Sequence, residues 1–289
     1  MPRRLQIPLR PLGLPEIAVL GRYDYSEAMT GLEMHAHANM LEICYLARGR
    51  QIYRVGERDF SLKGGDLFLT FPGEAHSTGE TPQEKGTLYW MQILLPRKNT
   101  RFLHLPPEDS RAMIRALLGI AHRHFKGMPG LRDRLESIIT LAPQKKAPLQ
   151  RVRLRHHILD FLLLVIECSR DLPRENLSSS MSQLMHYIET NAHQSLPVPV
   201  LAARVGLSVP RFKARFKQEA GIPPAEFVLR CKIDRAKKML ASPQSSVTRT
   251  AMDLNFPSSQ YFATVFRRYV GQTPSRFRHQ QLSVRDSGA

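Results

Sequence analysis

The feature that most limits the fold of this 289-residue chain is an internal repeat in its last third. Two segments share one skeleton of small, turn-forming and aromatic residues, with matched positions 49 or 50 residues apart. The skeleton is Ala202, Gly206, Phe212, Phe216 and Gly221 in the first segment, and Ala251, Asn255, Phe262, Phe266 and Gly271 in the second. Gly and Asn tolerate a left-handed turn between helices, and the aromatic spacing buries one helix face. The repeat therefore predicts two helix-turn-helix units.

The sequence around the repeat, residues 180–281, resembles the DNA-binding domain of AraC/XylS-type bacterial transcription regulators. Its most specific stretch is VTRTAMDLNFPSSQYFATVFRRYVGQTPSRFR. The family's terminal pattern is matched there by Phe256, Phe262, Phe266, Gly271, Thr273, Pro274, Phe277 and Arg278. The resemblance implies seven helices, in which two helix-turn-helix units are joined by a long helix over about 224–241. It also implies a transcription regulator, and activation is expected from this resemblance alone.

The exposed face of the second helix in each unit is the candidate DNA-reading surface. Small and polar side chains flanked by Arg and Lys suit a helix that enters the major groove. The candidates are Arg211, Lys213, Ala214 and Lys217 in the first unit, and Ser259, Gln260, Ala263, Thr264, Arg267 and Arg268 in the second. Ala214 and Thr264 stand where the family often has arginine, so which residue of the first helix reads bases stays open.

The net charge of +17 supports a polyanionic partner, and its distribution points to double-stranded DNA. Residues 1–96 carry 10 Lys+Arg and 11 Asp+Glu, whereas residues 178–289 carry 16 and 6. Residues 97–177 carry 16 and 8, which could extend the DNA footprint or form a solvated face. No apolar run approaches the roughly 20 residues of a membrane helix, and three cysteines without CxxC spacing fit a reducing compartment. We expect a cytoplasmic protein without a membrane partner.

The first hundred residues have the pattern of a β-rich domain. Short runs of aromatic and β-branched residues, such as Leu41–Leu46 and Leu88–Leu95, alternate with Gly/Pro/Asp/Glu clusters. The spacing of His35, His37, Glu42 and His76, with Gly65-Asp66 and Pro72-Gly73 between, resembles the two motifs of the cupin barrel. Period 2 puts His35 and His37 on one strand face, but Glu42 joins them only if a turn or bulge intervenes.

These four side chains are expected to line a pocket for a small-molecule effector, together with Tyr45 and Trp90. Tyr23, Tyr53 and Gln92 are further candidates with polar tips. The alternative occupant is a divalent metal held by His35, His37, Glu42 and His76, since an N/O donor set suits Zn, Fe, Mn, Ni or Cu. No other cofactor is predicted.

From residue 106 onward the apolar period becomes helical, which predicts helices over 107–125, 131–141 and 149–169. The second half of the last one is apolar nearly all round, so it is expected to be buried against the barrel, a partner subunit or both. The family resemblance favours a homodimer, led by Leu159, Leu162, Leu163 and Ile166. A polar linker is predicted at 170–179.

The sequence thus predicts a multi-domain α+β protein. Its parts are a cupin-like effector-sensing β-barrel over 1–100, a helical connecting and dimerisation segment over 101–177, and an all-α double helix-turn-helix domain over 178–283. The predicted function is effector-controlled, sequence-specific DNA binding that acts on RNA polymerase, and no enzymatic activity is expected. Two alternatives stay open: a metal-dependent cupin enzyme with a DNA-binding appendage, and a non-specific DNA-binding protein with a degenerate barrel.

Overall fold

A computed structural model describes residues 3–96, 101–144, 149–170 and 178–286. The chain divides into two compact units. The sheet unit contains most of residues 1–174, including the helices between 101 and 170. The helical unit contains residues 175–289, and the short segments Ser26–Thr30 and Pro82–Lys85 group with it. Most of the predicted linker, residues 171–177, lies outside the described residues.

Within its described residues, the sheet unit contains eight strands, all paired antiparallel. They are β1 (Arg3–Pro8), β2 (Ile17–Tyr25), β3 (Met40–Val55), β4 (Arg58–Lys63), β5 (Asp66–Thr70), β6 (His76–Ser77), β7 (Gly86–Leu94) and β8 (His124–Lys126). The main order is β1-β2-β7-β3-β5-β8, and β4 and β6 pair with β3 alongside this path. The N-terminal region is therefore sheet-rich, as the strand pattern predicts.

Strand β3 organises this sheet because its two halves have different partners. The first half pairs with β7 and β5, so that Glu42 lies opposite Gln92 on one side and Thr70 on the other. The second half pairs with β4 and β6. Since side chains alternate along a strand, Ile43 faces the main apolar core, whereas Cys44 lies on the opposite face with Glu42.

Three helices cover the face of the sheet on which Ile43 lies. They are α1 (Pro107–Leu118), α2 (Leu131–Leu141) and α3 (Gln150–Arg170). Their buried side chains, such as Leu135 and Phe161, join Tyr89 and Met91 of β7 in one apolar core. The predicted helix over 107–125 is too long. It ends before Gly119, a poor helix former, and residues 124–126 form β8 because the edge of β5 offers backbone partners.

The apolar half of α3 is buried on one side only, in the core of its own unit. Leu162 and Ile166 are buried in the core of their own unit and are unavailable to a partner subunit. Leu163 is 48% exposed, and Leu159 is only partly buried. The helix therefore uses one side for its own core and leaves a narrower apolar strip on the other.

The helical unit contains seven helices within residues 178–286, the number that the family resemblance implies. They are α4 (Ser179–Thr190), α5 (Val198–Arg204), α6 (Val209–Ala220), α7 (Pro224–Leu240), α8 (Val247–Asp253), α9 (Ser259–Val270) and α10 (Pro274–Asp286). Helices α5–α6 and α8–α9 are the two helix-turn-helix units, and α7 joins them. One core surrounds Phe212 and Phe216, and a second surrounds Phe262 and Phe266.

The turn of each unit has the left-handed residue that the repeat predicts. Gly206 has φ +67° and Asn255 has φ +51°. The second turn is held by side chains as well: Nζ of the buried Lys232 donates to the carbonyl oxygens of Leu254 and Asn255 at 2.7 and 3.3 Å. The Asn255 side-chain amide donates to the carbonyl of His193 at 2.7 Å. Asn255 therefore contributes a contact as well as a backbone conformation.

Replacing Asn255 should separate these two contributions. We expect Asn255→Ala to lower the free energy of unfolding of the helical unit by about 1–3 kcal/mol, since it loses the amide contact and strains the left-handed turn. Asn255→Gly should cost about 1 kcal/mol or less, because only the contact is lost. Urea unfolding followed by far-UV circular dichroism measures both, and equal losses would show that backbone strain plays no part.

Candidate functional site

Three histidines of the sheet unit lie together. One nitrogen from each of His35, His37 and His76 lies within 4.8 Å of the others. The backbone enforces the approach, because His35 and His76 form a β-bridge with N–H···O distances of 3.1 and 2.9 Å in the two directions. The predicted shared face of His35 and His37 agrees with this geometry.

Glu42 joins the histidines because a turn at residues 38–39 precedes β3 and resets the side-chain alternation. Its two carboxylate oxygens lie 3.7 Å from Nε2 of His37 and 3.7 Å from Nε2 of His76. The Gln92 side-chain amide donates to Glu42 at 2.8 Å and lies 3.2 Å from Nε2 of His37. We call His35, His37, Glu42 and His76 the histidine site.

The hydrogen bonds fix how two imidazoles present their nitrogens. Nδ1 of His35 lies 2.8 Å from the carbonyl oxygen of Glu33, and Nδ1 of His76 lies 3.2 Å from that of Glu74. A carbonyl oxygen only accepts, so Nδ1 carries the proton and, in the neutral ring, Nε2 keeps its lone pair. His76 is only 1% exposed, yet its Nε2 has no hydrogen-bond partner. The Glu42 carboxylate, 3.7 Å away, is beyond hydrogen-bond distance, so this nitrogen is open to a ligand.

The electrostatics of the site favour an anionic carboxylate. Burial alone would raise the pKa of Glu42, but contacts with His76 and Gln92 outweigh it, and the pKa lies below its usual value. Burial likewise opposes charge on His76, whereas the Glu42 carboxylate raises the pKa of that ring overall. Desolvation lowers the pKa of His37. The site therefore combines one negative charge with imidazoles that a cation would keep neutral.

Three imidazole nitrogens and one carboxylate form a donor set that suits a divalent transition ion such as Zn²⁺. The unpartnered Nε2 of His76 and the carbonyl-bound Nδ1 atoms fit this use, because a metal-bound histidine usually donates its second N–H to an oxygen acceptor. The residues present thus fit a metal.

The other predicted pocket residues are divided between two faces of the sheet. Trp90 lies opposite Cys44, on the same strand face as Gln92, and its ring covers Gly21 so closely that a Cβ there would lie 2.1 Å from it. Tyr45 lies on the opposite face, with its ring 6.3 Å from that of Tyr89 in the helix-facing core. The structure therefore does not bring Tyr45 to the histidines.

Behind Glu42 lies a buried polar chain of Tyr53, a predicted pocket residue, and Cys44, which the sequence does not single out. Tyr53 donates to the sulfur of Cys44 at 3.5 Å, and that sulfur lies 3.5 Å from Glu42. Burial raises the pKa of the Cys44 thiol and of the Tyr53 hydroxyl well above their usual values. Both groups stay protonated at neutral pH, so Cys44 is neither a nucleophile nor a thiolate ligand here. Its position two residues after Glu42 is the only sequence signal.

The motif residue Asp66 has a structural role away from the histidines. It accepts from the backbone N–H of Lys63 at 2.8 Å, and its carboxylate lies 3.0 Å from Nε2 of His124 and 3.3 Å from Nζ of Lys126. These contacts hold the β4–β5 turn, in which Gly65 has φ +93°, and fasten β8 to the sheet edge.

The second candidate site comprises the recognition helices α6 and α9. Of the ten predicted DNA-reading residues, Ser259 and Ala263 are half-buried and the remaining eight are exposed. In α9 the Ser258 hydroxyl accepts from the N–H of Tyr261 at 3.1 Å and caps the helix, while Phe262, Val265 and Phe266 turn inward. The polar face is therefore oriented by the burial of the aromatic face.

The two recognition helices differ in how free their arginines are. Arg215 of α6, the neighbour of Ala214, is bound to Glu219 at 2.8 Å. The same carboxylate accepts from the backbone N–H of Ser178 at 2.8 Å, at the start of α4. Glu219 thus links two helices and restrains Arg215. Arg267 and Arg268 of α9 are both exposed, and within the described residues neither forms a salt bridge with a carboxylate.

Family comparisons match both halves of the chain. The model of the AraC-like ligand binding domain matches residues 22–185, more than half of the chain, and the model of a helix-turn-helix domain matches residues 201–280. The chain belongs to the AraC family of transcription regulators.

Relatives of this AraC-family chain are named as regulators. It is 24% identical to the HTH-type transcriptional regulator YfiF of Bacillus subtilis over 265 residues, which cover 85% of this chain and 78% of that protein. It is 25% identical to the MmsAB operon regulatory protein of Pseudomonas aeruginosa, over 86% of this chain and 77% of that one. The DNA-binding domain of AdpA, solved with a target DNA, matches 38% of this chain and 98% of its own, with 25% identity and a TM-score of 0.36.

The AraC-family protein is thus a DNA-binding transcription regulator with an N-terminal ligand-binding domain. The histidine site lies within the ligand-binding match, and α6 and α9 lie within the helix-turn-helix match. None of the helices in the described parts of the chain combines the length and the apolar character that crossing a membrane requires.

Proposed function

We propose that this AraC-family protein is a sequence-specific transcription activator controlled by a small ligand bound at the histidine site. The observation that carries the proposal is the buried, unpartnered Nε2 of His76 beside the Glu42 carboxylate, inside a domain of the ligand-binding type. Ligand binding shifts the population between a form that binds the operator and one that does not, or shifts the geometry of a dimer.

The two recognition helices read successive faces of the major groove about one helical turn, or 10–10.5 bp, apart. One chain then covers roughly 20 bp. Gln260 and Thr264 face the bases in the second helix, and Arg267 and Arg268 contact phosphates. Because Glu219 restrains Arg215, the first helix relies on Arg211, Lys213 and Lys217.

The ligand at the histidine site is a divalent transition ion, alone or together with a small molecule that fills its open coordination position. His35, His37 and His76 supply nitrogen and Glu42 supplies oxygen, so an ion that takes five or six ligands would keep a coordination position open for a further ligand. The ion would supply a fixed positive charge next to the buried Glu42 carboxylate. Gln92 lies next to this position and Trp90 is on the same strand face, so both are proposed to contact a bound effector.

The active form is a homodimer that acts on RNA polymerase in the cytoplasm, where the DNA is. The proposed contact is the outer strip of α3: Val152, Leu159 and Leu163, spaced i, i+7 and i+11. Val152 and Leu163 are 57% and 48% exposed, and Leu159 is partly buried. This is the a/d spacing with which two helices pair, so a second copy of the same helix is the occupant that matches it.

Substitutions in α9 should separate base reading from phosphate contact. We expect Gln260→Ala to change the preferred base at one operator position, at a cost of about 1–3 kcal/mol on the wild-type site. Arg267→Ala should weaken binding to all sequences and reduce the salt slope of log K by about 0.9. Selection from random DNA and titrations at several salt concentrations measure these effects, with the exposed Gln244→Ala as control. If both variants lose affinity equally on every sequence, α9 does not read bases.

Metal binding is tested on the full chain. The wild type should bind about one equivalent of Co²⁺ or Zn²⁺. His76→Ala removes a ligand, so its metal affinity should fall by more than the roughly 100-fold that is lost when a residue hydrogen-bonded to a ligand is removed. His186→Ala, which removes an exposed histidine of α4, is the matched control and should bind as the wild type does. Equal affinities of the His76 and His186 variants would rule out the histidine site as the metal site.

Dimerisation is tested by placing a charge on the strip of α3. Leu163→Glu should convert a dimer into a monomer in sedimentation velocity at micromolar concentration, because it buries an unpaired carboxylate at the contact. Met252→Glu changes a more exposed apolar side chain in the helical unit and should leave the oligomeric state unchanged. A wild type that sediments as a monomer, or a dimer that survives Leu163→Glu, contradicts this contact.

A further inference from the structure

We propose that Arg123, which is distant in sequence from the metal-binding motif, is the positioning residue of the histidine site. It acts on the turn Phe71–His76, which carries one ligand and is hydrogen-bonded to two others. The inference rests on the proposed metal binding, since it assigns Arg123 to holding the imidazoles in their ligating orientation.

Arg123 holds the side chain of Glu74 with both ends of its guanidinium group. Its two terminal nitrogens donate to the two carboxylate oxygens of Glu74 at 2.6 and 2.7 Å, the paired geometry that is strongest for arginine. Its guanidinium carbon also lies 5.6 Å from the ring centroids of Phe60 and Phe71.

Glu74 in turn closes the turn Phe71–His76. One carboxylate oxygen accepts from the N–H of Phe71 at 2.8 Å, and the N–H of Glu74 donates to the carbonyl of Phe71 at 3.1 Å. The carboxylate is therefore shared between Arg123 and the backbone of its own turn. The position of the Arg123 guanidinium group therefore restrains the turn Phe71–His76 through the Glu74 carboxylate.

The same turn contacts all three histidines through its backbone. The carbonyl of Glu74 accepts from Nδ1 of His76 at 3.2 Å, and the N–H of Gly73 donates to the carbonyl of His37 at 2.8 Å. At its end, His76 bridges to His35 in both directions. A shift of this turn would therefore rotate the ring of His76 and displace the backbone of His37.

Arg123 is itself anchored from another part of the fold. It lies between α1 and β8, and its carbonyl accepts from the N–H of Leu69 in β5 at 2.8 Å. Arg123 thus links the segment that follows α1 to the ligand turn. The salt bridge is partly buried, with side-chain exposures of 22% and 28%, so solvent screens it less than a fully exposed pair.

The test compares Co²⁺ binding by the full-length wild type with that of Arg123→Gln and Glu74→Gln. Each variant should bind Co²⁺ roughly 10- to 100-fold more weakly, with altered intensity of the visible d–d bands, because loss of an outer partner loosens the ligand geometry. The double variant should be no weaker than the weaker single variant, since both changes remove one interaction. Arg123→Lys keeps the charge without the paired geometry and should recover only part of the affinity.

Arg22→Gln is the matched control. Arg22 donates through one guanidinium nitrogen to both carboxylate oxygens of Glu136 at 2.9 and 3.0 Å, with exposures of 26% and 32%, and its partner lies on α2. It should bind Co²⁺ with the wild-type affinity and spectrum even if it unfolds at a lower temperature. If Arg123→Gln fails to fold, Glu74→Gln carries the same test, since the amide keeps an acceptor for the N–H of Phe71.

The outcomes separate the two proposals. A wild type that binds no Co²⁺ overturns metal binding, and the role of Arg123 with it. A wild type that binds Co²⁺, together with variants of equal affinity and unchanged spectrum, overturns the role of Arg123 alone. A loss of affinity in Arg22→Gln as large as that in Arg123→Gln would show a general effect of stability and would also overturn it.

Discussion

The sheet unit is arranged around one buried negative charge, the carboxylate of Glu42. An isolated carboxylate out of water costs several kcal/mol, so it persists only where hydrogen-bond donors or cations compensate it. Its compensation comes from three directions: Gln92 on the paired strand β7, His37 across the turn before β3, and His76 across the bridge to His35. The strand register, the turn at 38–39 and the contacts of the turn Phe71–His76 all serve to bring these groups to one point.

Local sequence signals predicted the parts of this fold that depend on local physics. The helix-turn-helix repeat followed from Gly206, Asn255 and the aromatic spacing, because a left-handed turn and an inward aromatic face are properties of a few consecutive residues. The four residues of the histidine site were predicted from the resemblance to the cupin motifs, and the alternation of side chains along a strand added the turn that Glu42 needs. The features that the sequence did not predict depend on partners far along the chain. Strand β8 forms because the edge of β5 is open to pairing. Leu162 and Ile166 are buried because α3 packs on the sheet.

The same distinction explains which site residues the sequence could not provide. Tyr45 and Trp90 are both aromatic and both in strands, but they lie on opposite faces of the sheet. Tyr45 is an odd number of residues after Glu42 on β3 and therefore faces away from it, which the sequence would show once the bounds of β3 are known. Trp90 pairs with Cys44 and therefore lies on the same face as Glu42. Arg123 gave no such signal, because it is 49 residues from Glu74 and meets it only after β8 has paired with β5. Long-range pairs of this kind are fixed by topology.

The long helix α7 belongs to both apolar cores of the helical unit. Val228 packs with Phe212 and Phe216, and one to three turns later Ile233, Ala236 and Leu240 pack with Phe262 and Phe266. A helix rises 1.5 Å per residue and resists bending, so the distance between the two recognition helices is set by a rigid spacer. If both recognition helices enter the major groove as proposed, the operator must keep its two contacted segments in a fixed rotational phase. Inserting about half a helical turn of DNA, roughly 5 bp, would turn one segment to the far side of the duplex, although every recognised base is retained.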